Sequence, residues 1–376
     1  MKVWMRTTGD LEACCRELRA GGVAALDTEF VWMRTYRAEM GIVQLAAADG
    51  EGGAFDCRAG ADPAALAELL EDAGTVKVLH DAAQDLWHLR HFCGGRARNV
   101  FDTRLAAGFC GLGGGLSLAK LVQALLGVEL PKSETRTDWT RRPLSEAQLE
   151  YAMDDVKYLG TMREMLLARA RERGTAAWMA EELAEREKDA MEDVLPEEAW
   201  RRVRGIGRLG RRDLAALREV AAARERTAME WNLPRAWLGE DGSLVEMSRF
   251  WRPGRGAPRF RHRLKGRERA REMGERYEDA LAAAARVPES EWPEVPAQRK
   301  KSPACLEAAM AWLEARGAET GVDPNVVSSK AGLADFLNGE KGTRLETGWR
   351  WEVAGRELRE RFGAALRPID GGCGEK

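Results

Sequence analysis

Five residues within the first 155 positions combine types and spacings that could do chemistry together. Asp27 and Glu29 lie in ALDTEF, Asp85 in VLHDAAQDLWHL, and Tyr151 and Asp155 in LEYAMDDVKYL. Carboxylates that come from separate elements and meet at one point repel one another unless cations lie between them. Such a cluster predicts a divalent-metal site, and the chemistry it suggests is metal-assisted hydrolysis of a phosphodiester.

Two strands position the first three acids. VAALDTEF predicts a buried strand over 22–29, on which residues two apart share a face, so Asp27 and Glu29 project side by side. TVKVLH predicts a second strand over 76–80, and Asp85 then falls near the first turn of the following helix. Proteins with α/β folds usually place ligands at such strand ends.

A helix positions the other two residues. Residues 145–171 have the periodicity of one long helix that begins at Ser145, whose hydroxyl can cap free backbone donors. Tyr151 and Asp155 are four apart on it and share a face. Asp154 competes with Asp155, because a spacing of three also falls roughly on one face.

Ordinary structural roles compete with each of these assignments. An acid early in a helix usually offsets the helix dipole or caps an end, which is the role expected of Asp81 and Asp102. His80 ends an apolar strand, where a structural hydrogen bond is expected more often than catalysis. Taken together, the acids favour a metal site more strongly than each does alone, because two carboxylates on one face of an apolar strand are costly to bury without a cation.

Five motifs carry a resemblance to a known family. They are DTEF, the H-x-x-x-x-D of His80 to Asp85, the FDT of Phe101 to Thr103, KSETRTDW of 132–139, and the Y-x-x-x-D of Tyr151 to Asp155. In this order and spacing they resemble ribonuclease D, a family of DEDD exonucleases, in the branch whose third motif carries a tyrosine. The resemblance extends over residues 1 to about 190.

The resemblance implies a role for each residue. It selects Asp85 over Asp81 and Asp155 over Asp154, and it implies two divalent ions, Mg²⁺ or Mn²⁺, held by Asp27, Glu29, Asp85 and Asp155. Tyr151 would either deprotonate the attacking water or only orient it. Phe30, next to the metal-binding pair, could pack against a terminal base. Core packing is the competing interpretation of Phe30.

Composition is compatible with an enzyme that carries accessory domains. The chain has 376 residues, 44% of them hydrophobic, which suggests two or three domains with packed cores. Seven cysteines form no C-x-x-C, so we expect reduced thiols in a cytoplasmic protein. The N-terminus lacks the apolar core of a signal peptide, and no stretch is long enough to span a membrane.

The first region predicts an α/β fold, a mixed sheet flanked by helices, and the resemblance names it ribonuclease-H-like. Strands are expected at 22–29, 41–48, 53–57, 76–80 and 99–101, and helices at 10–20, 63–73, 82–92, 102–110, 116–127 and 145–171.

Four segments follow from changes in composition along the chain. We expect an exonuclease domain over 1–192, a helical domain over 194–286 that begins near Pro196, a linker over 287–302 and a second helical domain over 303–376. The two helical domains resemble the all-α helicase-and-ribonuclease-D C-terminal (HRDC) domains. The agreement of the first weakens beyond Phe250, where WRPGRGAPRFRHRLKG replaces the more usual short connection.

Charge is concentrated in the first helical domain. The whole chain has a net charge of −2, but residues 196–276 carry 21 Lys and Arg against 12 Asp and Glu, a local net of +9. Residues 249–276 interleave this charge with aromatic side chains, a pattern typical of RNA contact. Arg259, Arg261 and Arg263 are the candidate contacts. A solvated helical face is an equally good interpretation.

The sequence therefore predicts a metal-dependent 3′–5′ exoribonuclease that releases nucleoside 5′-monophosphates. The resemblance alone supplies the 3′ polarity and the expected partner, RNA with a free 3′ end such as a tRNA precursor, and no obligate protein partner is evident. The alternatives are a DNA-directed or proofreading exonuclease of the same superfamily, and an RNA-binding scaffold without catalysis.

Overall fold

The computed structural model describes residues 3–131, 137–189, 192–252, 256, 259–294 and 303–363. Most of KSETRTDW, residues 132–136, therefore lies outside the described residues, as do parts of the predicted linker and the end of the second helical domain. The chain forms two compact units. The sheet unit comprises Met1–Glu29, Met40–Met191 and Arg299–Lys376, and the helical unit comprises Phe30–Glu39 and Glu192–Gln298.

A mixed sheet forms the centre of the sheet unit, which is the class that the sequence predicts. Its strands within the described residues are β1 (Val3–Met5), β2 (Val23–Val31), β3 (Glu39–Ala46), β4 (Gly52–Asp56), β5 (Val76–Leu79) and β6 (Val100–Asp102). They lie in the order β1-β4-β3-β2-β5-β6. β1 pairs with β4, β2 with β5 and β5 with β6 in parallel, whereas β3 and β4 are antiparallel. The sequence did not predict β1, because three residues are too short for a periodic pattern.

Eight helices follow the strands in the first 189 residues that the structure describes. They are α1 (Thr8–Gly21), α2 (Ala64–Glu71), α3 (Ala83–Cys93), α4 (Thr103–Phe109), α5 (Leu118–Leu126), α6 (Glu146–Lys157), α7 (Leu159–Glu172) and α8 (Ala176–Asp189). The predicted helices agree with the observed ones to within a few residues, except for the last.

The single helix predicted over 145–171 is wrong, because α6 ends and α7 begins on either side of Tyr158. Both helices lie tightly against the β3–β4 turn. A Cβ added to Gly50 would lie 2.4 Å from the carbonyl oxygen of Lys157, and one added to Gly160 would lie 2.4 Å from that of Ala48.

Asp102 and Asp81, the two acids expected to act at helix starts, have different roles in the structure. Asp102 caps α4 as predicted, and its carboxylate also accepts the backbone N–H groups of Asp81 and Ala82. Asp81 gives no capping hydrogen bond to α3, so the capping role expected of it is wrong, whereas its effect on the helix dipole stays a prediction. Its backbone is left-handed, with φ 65°, and its side chain forms an ion pair with Arg104.

The helical unit is built around α9. Its helices are α9 (Arg211–Trp231), α10 (Arg235–Leu238), α11 (Asp241–Phe250) and α12 (Arg267–Ala284), with 3₁₀ turns at Pro196–Arg202, Ile206–Arg208 and Glu289–Glu291. Pro196 begins a new element, as predicted. The segment Phe30–Glu39 belongs to this unit, and the Tyr36 hydroxyl donates to the buried carboxylate of Glu225.

The C-terminal helices share the core of the sheet unit. They are α13 (Pro303–Thr320), α14 (Pro324–Val327), α15 (Lys330–Leu337), α16 (Gly348–Arg350) and α17 (Arg356–Phe362), with a 3₁₀ turn at Arg344–Glu346 and a π turn at Trp351–Gly355. The buried Trp349 ring lies edge-on to Phe109 of α4, with 4.9 Å between ring centroids. None of the helices in the described residues is long and apolar enough to cross a bilayer.

Candidate active site

Three carboxylates converge beside the second half of β2. Asp27 and Glu29 lie two apart on β2, and Asp155 comes from α6. One oxygen of each lies within 4.8 Å of the others. The start of α6 is fixed by a capping box, in which the Ser145 side chain accepts from the backbone of Gln148 and the Gln148 side chain accepts from that of Ser145. The Ser145 cap therefore forms as the sequence predicts.

Asp85 lies outside this closest group but acts on it. It is buried in the first turn of α3, and it accepts a hydrogen bond from the Thr28 hydroxyl. Its charge contributes to raising the pKa values of both Asp27 and Glu29. The structure thus brings together the four acids that the sequence singled out, and Asp85 is the one that lies outside the closest group of three. Asp154 lies outside the group of three.

Burial and mutual repulsion shape the electrostatics of the cluster. Burial, followed by the charges of Asp85, Asp155 and Glu29, raises the pKa of Asp27 well above its ordinary value. Burial and the charges of Asp155 and Asp85 raise the pKa of Glu29 to about 8. The charges acting on these two acids are thus those of other carboxylates. A buried acidic set of this kind matches the all-oxygen ligands that hard divalent cations prefer, so these residues fit a metal site.

Tyr151 faces the same cluster from α6. Its hydroxyl donates a hydrogen bond to Asp155, one helical turn away. Burial, then the charges of Asp155, Glu29 and Asp27, raises the pKa of Tyr151 above its ordinary value. Tyr151 is therefore a neutral phenol in this arrangement, able to donate to one oxygen and to accept from a water.

Trp139 supports Tyr151 from the end of KSETRTDW. Its ring is 2% exposed, and its centroid lies 6.2 Å from that of Tyr151. A Cβ added to Gly41 would lie 2.6 Å from the Trp139 carbonyl oxygen, so the backbone of this loop lies directly on β3. Arg142 secures the loop by donating to the Trp139 carbonyl at 2.8 Å and to the buried Asp56 at 2.6 Å. Trp139 is therefore a packing anchor of this loop.

Sequence reasoning missed two side chains that touch the acids. Thr28 donates to Asp85, and the Gln44 amide Nε2 donates to Asp27 Oδ2 at 3.4 Å. Gln44 lies on β3 and is fully buried. The sequence contains a signal for Gln44, because this polar residue interrupts the otherwise apolar run MGIVQLAA. A buried amide in a central strand needs a hydrogen-bonding reason to be there.

His80 has the structural contacts expected of it. Its Nδ1 lies 3.0 Å from the Thr103 hydroxyl, and its Nε2 lies 3.1 Å from the Leu116 carbonyl oxygen. Burial lowers the pKa of His80 below its ordinary value. Both ring nitrogens are therefore engaged in joining the end of β5 to the following segments.

The candidate substrate contacts remain predictions. Phe30 follows Glu29 on β2 and is half-buried. Arg259, Arg261 and Arg263 have exposed side chains in the segment between α11 and α12.

Backbone hydrogen bonds hold the segment that carries these arginines. The amide of Arg263 donates to the Trp237 carbonyl at 2.8 Å, and that of Arg261 donates to the Ser243 hydroxyl at 3.0 Å. Phe260 turns inward, with its ring edge-on to the buried Tyr277 at 5.0 Å between centroids. The anchoring leaves a row of alternate arginine side chains facing outward.

Of the aromatic residues that interleave the basic segment, only Phe250 is largely exposed among those the structure describes. It is 65% exposed, whereas Trp251 and Phe260 are half-buried and pack against the core of the helical unit. The expected stacking of several aromatics on RNA bases is therefore reduced to one exposed ring.

Comparison with known proteins identifies the family of this chain. The sequence model of the 3′–5′ exonuclease family matches residues 2–169. Proteins named ribonuclease D from Desulfotalea psychrophila and Pseudomonas paraeruginosa are each 35% identical to this chain; the first match covers 92% of this chain and 94% of the relative, and the second 94% and 96%.

A solved structure shows the same similarity in three dimensions. The structure of Escherichia coli RNase D, described as an exoribonuclease involved in structured RNA processing, matches with a TM-score of 0.83 and 27% identity, over 96% of this chain and 98% of that chain. The mixed sheet with its helices is consistent with the ribonuclease-H-like fold that the sequence resemblance implied. By its sequence, its fold and its cluster of acids, this chain belongs to the ribonuclease D family of 3′–5′ exoribonucleases.

Proposed function

We propose that this exoribonuclease trims the 3′ ends of structured RNA, tRNA precursors among them, by two-metal hydrolysis that releases nucleoside 5′-monophosphates. The observation that carries the proposal is the convergence of Asp27, Glu29 and Asp155 within 4.8 Å. Three carboxylates at that spacing repel one another strongly, and divalent cations would neutralise them.

Asp27, Glu29, Asp85 and Asp155 would hold two ions, Mg²⁺ or Mn²⁺. When bound, such a pair supplies Lewis-acid stabilisation of an in-line phosphoryl displacement and lowers the pKa of a water. The donor set fits this use, since it consists of carboxylate oxygens from one strand and two helices. Hard cations with little preference for nitrogen or sulfur bind such sets.

The remaining chemistry belongs to side chains of this protein. Tyr151, hydrogen-bonded to Asp155, would orient the attacking water by accepting a hydrogen bond from it. Thr28 holds Asp85 in place through its hydroxyl. Phe30 would stack on the terminal base beside the metal-binding pair.

The substrate class rests on a relative and on charge. The Escherichia coli protein is described as acting in structured RNA processing, and we extend that role to this chain. The exposed Arg259, Arg261 and Arg263 would contact the RNA backbone. We propose the cytoplasm as its compartment, in keeping with the six free cysteines of the described residues.

Substitution of single acids tests the proposal. In Asp27→Asn and Asp155→Asn, hydrolysis of 3′-labelled single-stranded RNA should be abolished even at high Mg²⁺. Asp154→Asn is the matched control, because Asp154 neighbours Asp155 but lies outside the group of three; it should keep activity near that of the wild type. Full activity in either of the first two variants would contradict the two-metal assignment.

The same assay separates the alternatives. RNA and DNA oligonucleotides of one sequence are compared with Mg²⁺, and the products are resolved as mononucleotides. A preference for DNA would favour the DNA-directed enzyme, and binding without hydrolysis would favour the scaffold. Mononucleotide release from the 3′ end of RNA is the expected result.

A further inference from the structure

We propose that Gln44 is a positioning residue of the metal site, whose amide fixes the Asp27 carboxylate in the orientation that receives a cation. This inference rests on the proposed metal-dependent function. Gln44 stands out because it is fully buried in β3, where every position from Met40 to Ala46 is buried and all the others are apolar or glycine. Water cannot solvate its amide there, so a hydrogen bond within the protein must compensate for its burial.

The Gln44 hydrogen bond is directed at a metal ligand. Gln44 Nε2 donates to Asp27 Oδ2 at 3.4 Å. β2 and β3 are neighbours in the sheet, so the contact is made by two rigid strands. A donor held on one carboxylate oxygen restricts the rotation of the carboxylate and leaves its other lone pairs for a cation.

The orientation of the Gln44 amide follows from this contact. With the opposite orientation, its oxygen would face the Asp27 carboxylate, and two acceptors would repel. In the observed orientation, Gln44 Oε1 has no hydrogen-bond partner among the described residues although it is buried. The structure thus leaves one acceptor unsatisfied while the donor to Asp27 is kept, which is unusual for a buried amide.

A neutral donor suits this position better than the alternatives. A second carboxylate would add negative charge beside acids that already repel one another, and an apolar side chain would remove the donor that holds Asp27 Oδ2. Loss of comparable contacts to metal ligands typically weakens metal affinity or activity by 10–100-fold. Gln44 therefore acts through Asp27 and need not touch the substrate.

The test measures cation binding without RNA. Mn²⁺ binding to the full-length protein is followed by electron paramagnetic resonance of the free ion, in the wild type, Gln44→Met, Gln44→Leu and Asp27→Asn. Gln44→Met keeps the length of the side chain but removes the donor, and we expect it to weaken Mn²⁺ binding about 10–100-fold. With a short oligonucleotide, half-maximal activity should need correspondingly more Mn²⁺, and excess Mn²⁺ should restore kcat while KM stays unchanged.

Two comparisons separate positioning from packing. Val43→Ala alters the neighbouring buried residue on β3; it should lower the thermal unfolding temperature and leave Mn²⁺ affinity unchanged. In an Asp27→Asn background, Gln44→Met should have no further effect on Mn²⁺ binding, because a double-mutant cycle isolates the coupling between the two side chains. Circular dichroism checks that each variant is folded, and Gln44→Leu replaces Gln44→Met if the latter is not.

The outcomes distinguish the inference from the function beneath it. Wild-type Mn²⁺ affinity in a folded Gln44→Met or Gln44→Leu variant would overturn the role of Gln44. So would a Gln44→Met substitution that weakens Mn²⁺ binding equally in the wild-type and Asp27→Asn backgrounds. Unchanged Mn²⁺ binding in Asp27→Asn would instead overturn the metal site itself.

Discussion

Tyr151 shows how single residues in this site depend on their surroundings. A tyrosine hydroxyl is ordinarily a poor base at neutral pH, since its pKa lies near 10. Here burial and the neighbouring acids raise that pKa further, and the hydroxyl donates to Asp155. These surroundings favour orientation of the attacking water over its deprotonation by Tyr151.

The Tyr151→Phe variant tests this role. Removing the hydroxyl should lower kcat by about 10²-fold or more, because the water loses its partner, while RNA affinity measured with Ca²⁺ stays nearly unchanged. Tyr158→Phe is the control, since Tyr158 is half-buried at the junction of α6 and α7 and should keep wild-type turnover. Wild-type turnover in Tyr151→Phe would remove the hydroxyl from the mechanism.

At the scale of elements, α8 joins the C-terminal helices to the exonuclease fold. Glu182 on α8 is fully buried, accepts from the Trp349 indole at 3.1 Å and forms an ion pair with the buried Arg350. Arg350 also donates to the carbonyl oxygens of Val326 and Val327 at 3.1 and 2.9 Å. One buried carboxylate thus connects α8, α14 and α16.

Glu182 links the stability of this junction to pH. Burial alone would raise its pKa, but the hydrogen bonds and charge of Arg350, with Arg186 and Trp349, hold the pKa below its ordinary value of 4.5. A group with a lowered folded-state pKa stabilises the protein above its unfolded pKa, and this stability is lost as pH falls through the folded pKa. Glu182→Gln should therefore cost about 2 kcal/mol or more of unfolding free energy at pH 7. The difference in unfolding free energy between the wild type and this variant should become smaller below about pH 4.5.

Urea denaturation of the full chain measures both effects. Glu185→Gln is the control: its carboxylate is 43% exposed and lies 3.4 Å from Arg350, so its loss should cost under about 1 kcal/mol. A loss in Glu182→Gln that is the same at pH 7 and near pH 4 would show that the charge of Glu182 is not its cause.

For the whole molecule, charge is segregated along the sequence. A net charge of −2 conceals a net of +9 over residues 196–276. Many arginines of the helical unit are paired with acids, among them Arg201 with Glu198 and Arg271 with Glu275. Among the residues that the structure describes, Arg259, Arg261 and Arg263 form no such ion pair. Their side chains are exposed, so their charges are available to a polyanion.

Salt dependence tests whether RNA uses these charges. Replacing Arg259, Arg261 and Arg263 by Ala should weaken RNA binding and reduce the slope of log K against log salt by about 2. The reason is that fewer counterions are released on binding when fewer phosphates are contacted. Hydrolysis of very short oligonucleotides should be unaffected. A triple variant at the paired Arg201, Arg226 and Arg271 is the control, and equal slopes in the two variants would indicate a merely solvated face.

Sequence alone determined what short-range chemistry encodes. The period of two in DTEF placed Asp27 and Glu29 on one face, the Ser145 cap fixed the start of α6, and the five motifs indicated the family. Capping and strand alternation depend on neighbours within a few residues, so they can be predicted from the chain order. The positions of most helices and strands followed for the same reason.

Tertiary structure decided what depends on partners far apart in the chain. It grouped Asp155, not Asp154, with the β2 pair, divided the predicted long helix at Tyr158, and showed that Gln44 and Thr28 contact the acids. It also joined the C-terminal helices to the sheet unit through Glu182. Periodicity indicates which face of an element is buried. Only the packing of the folded chain decides which residues of other elements contact that face.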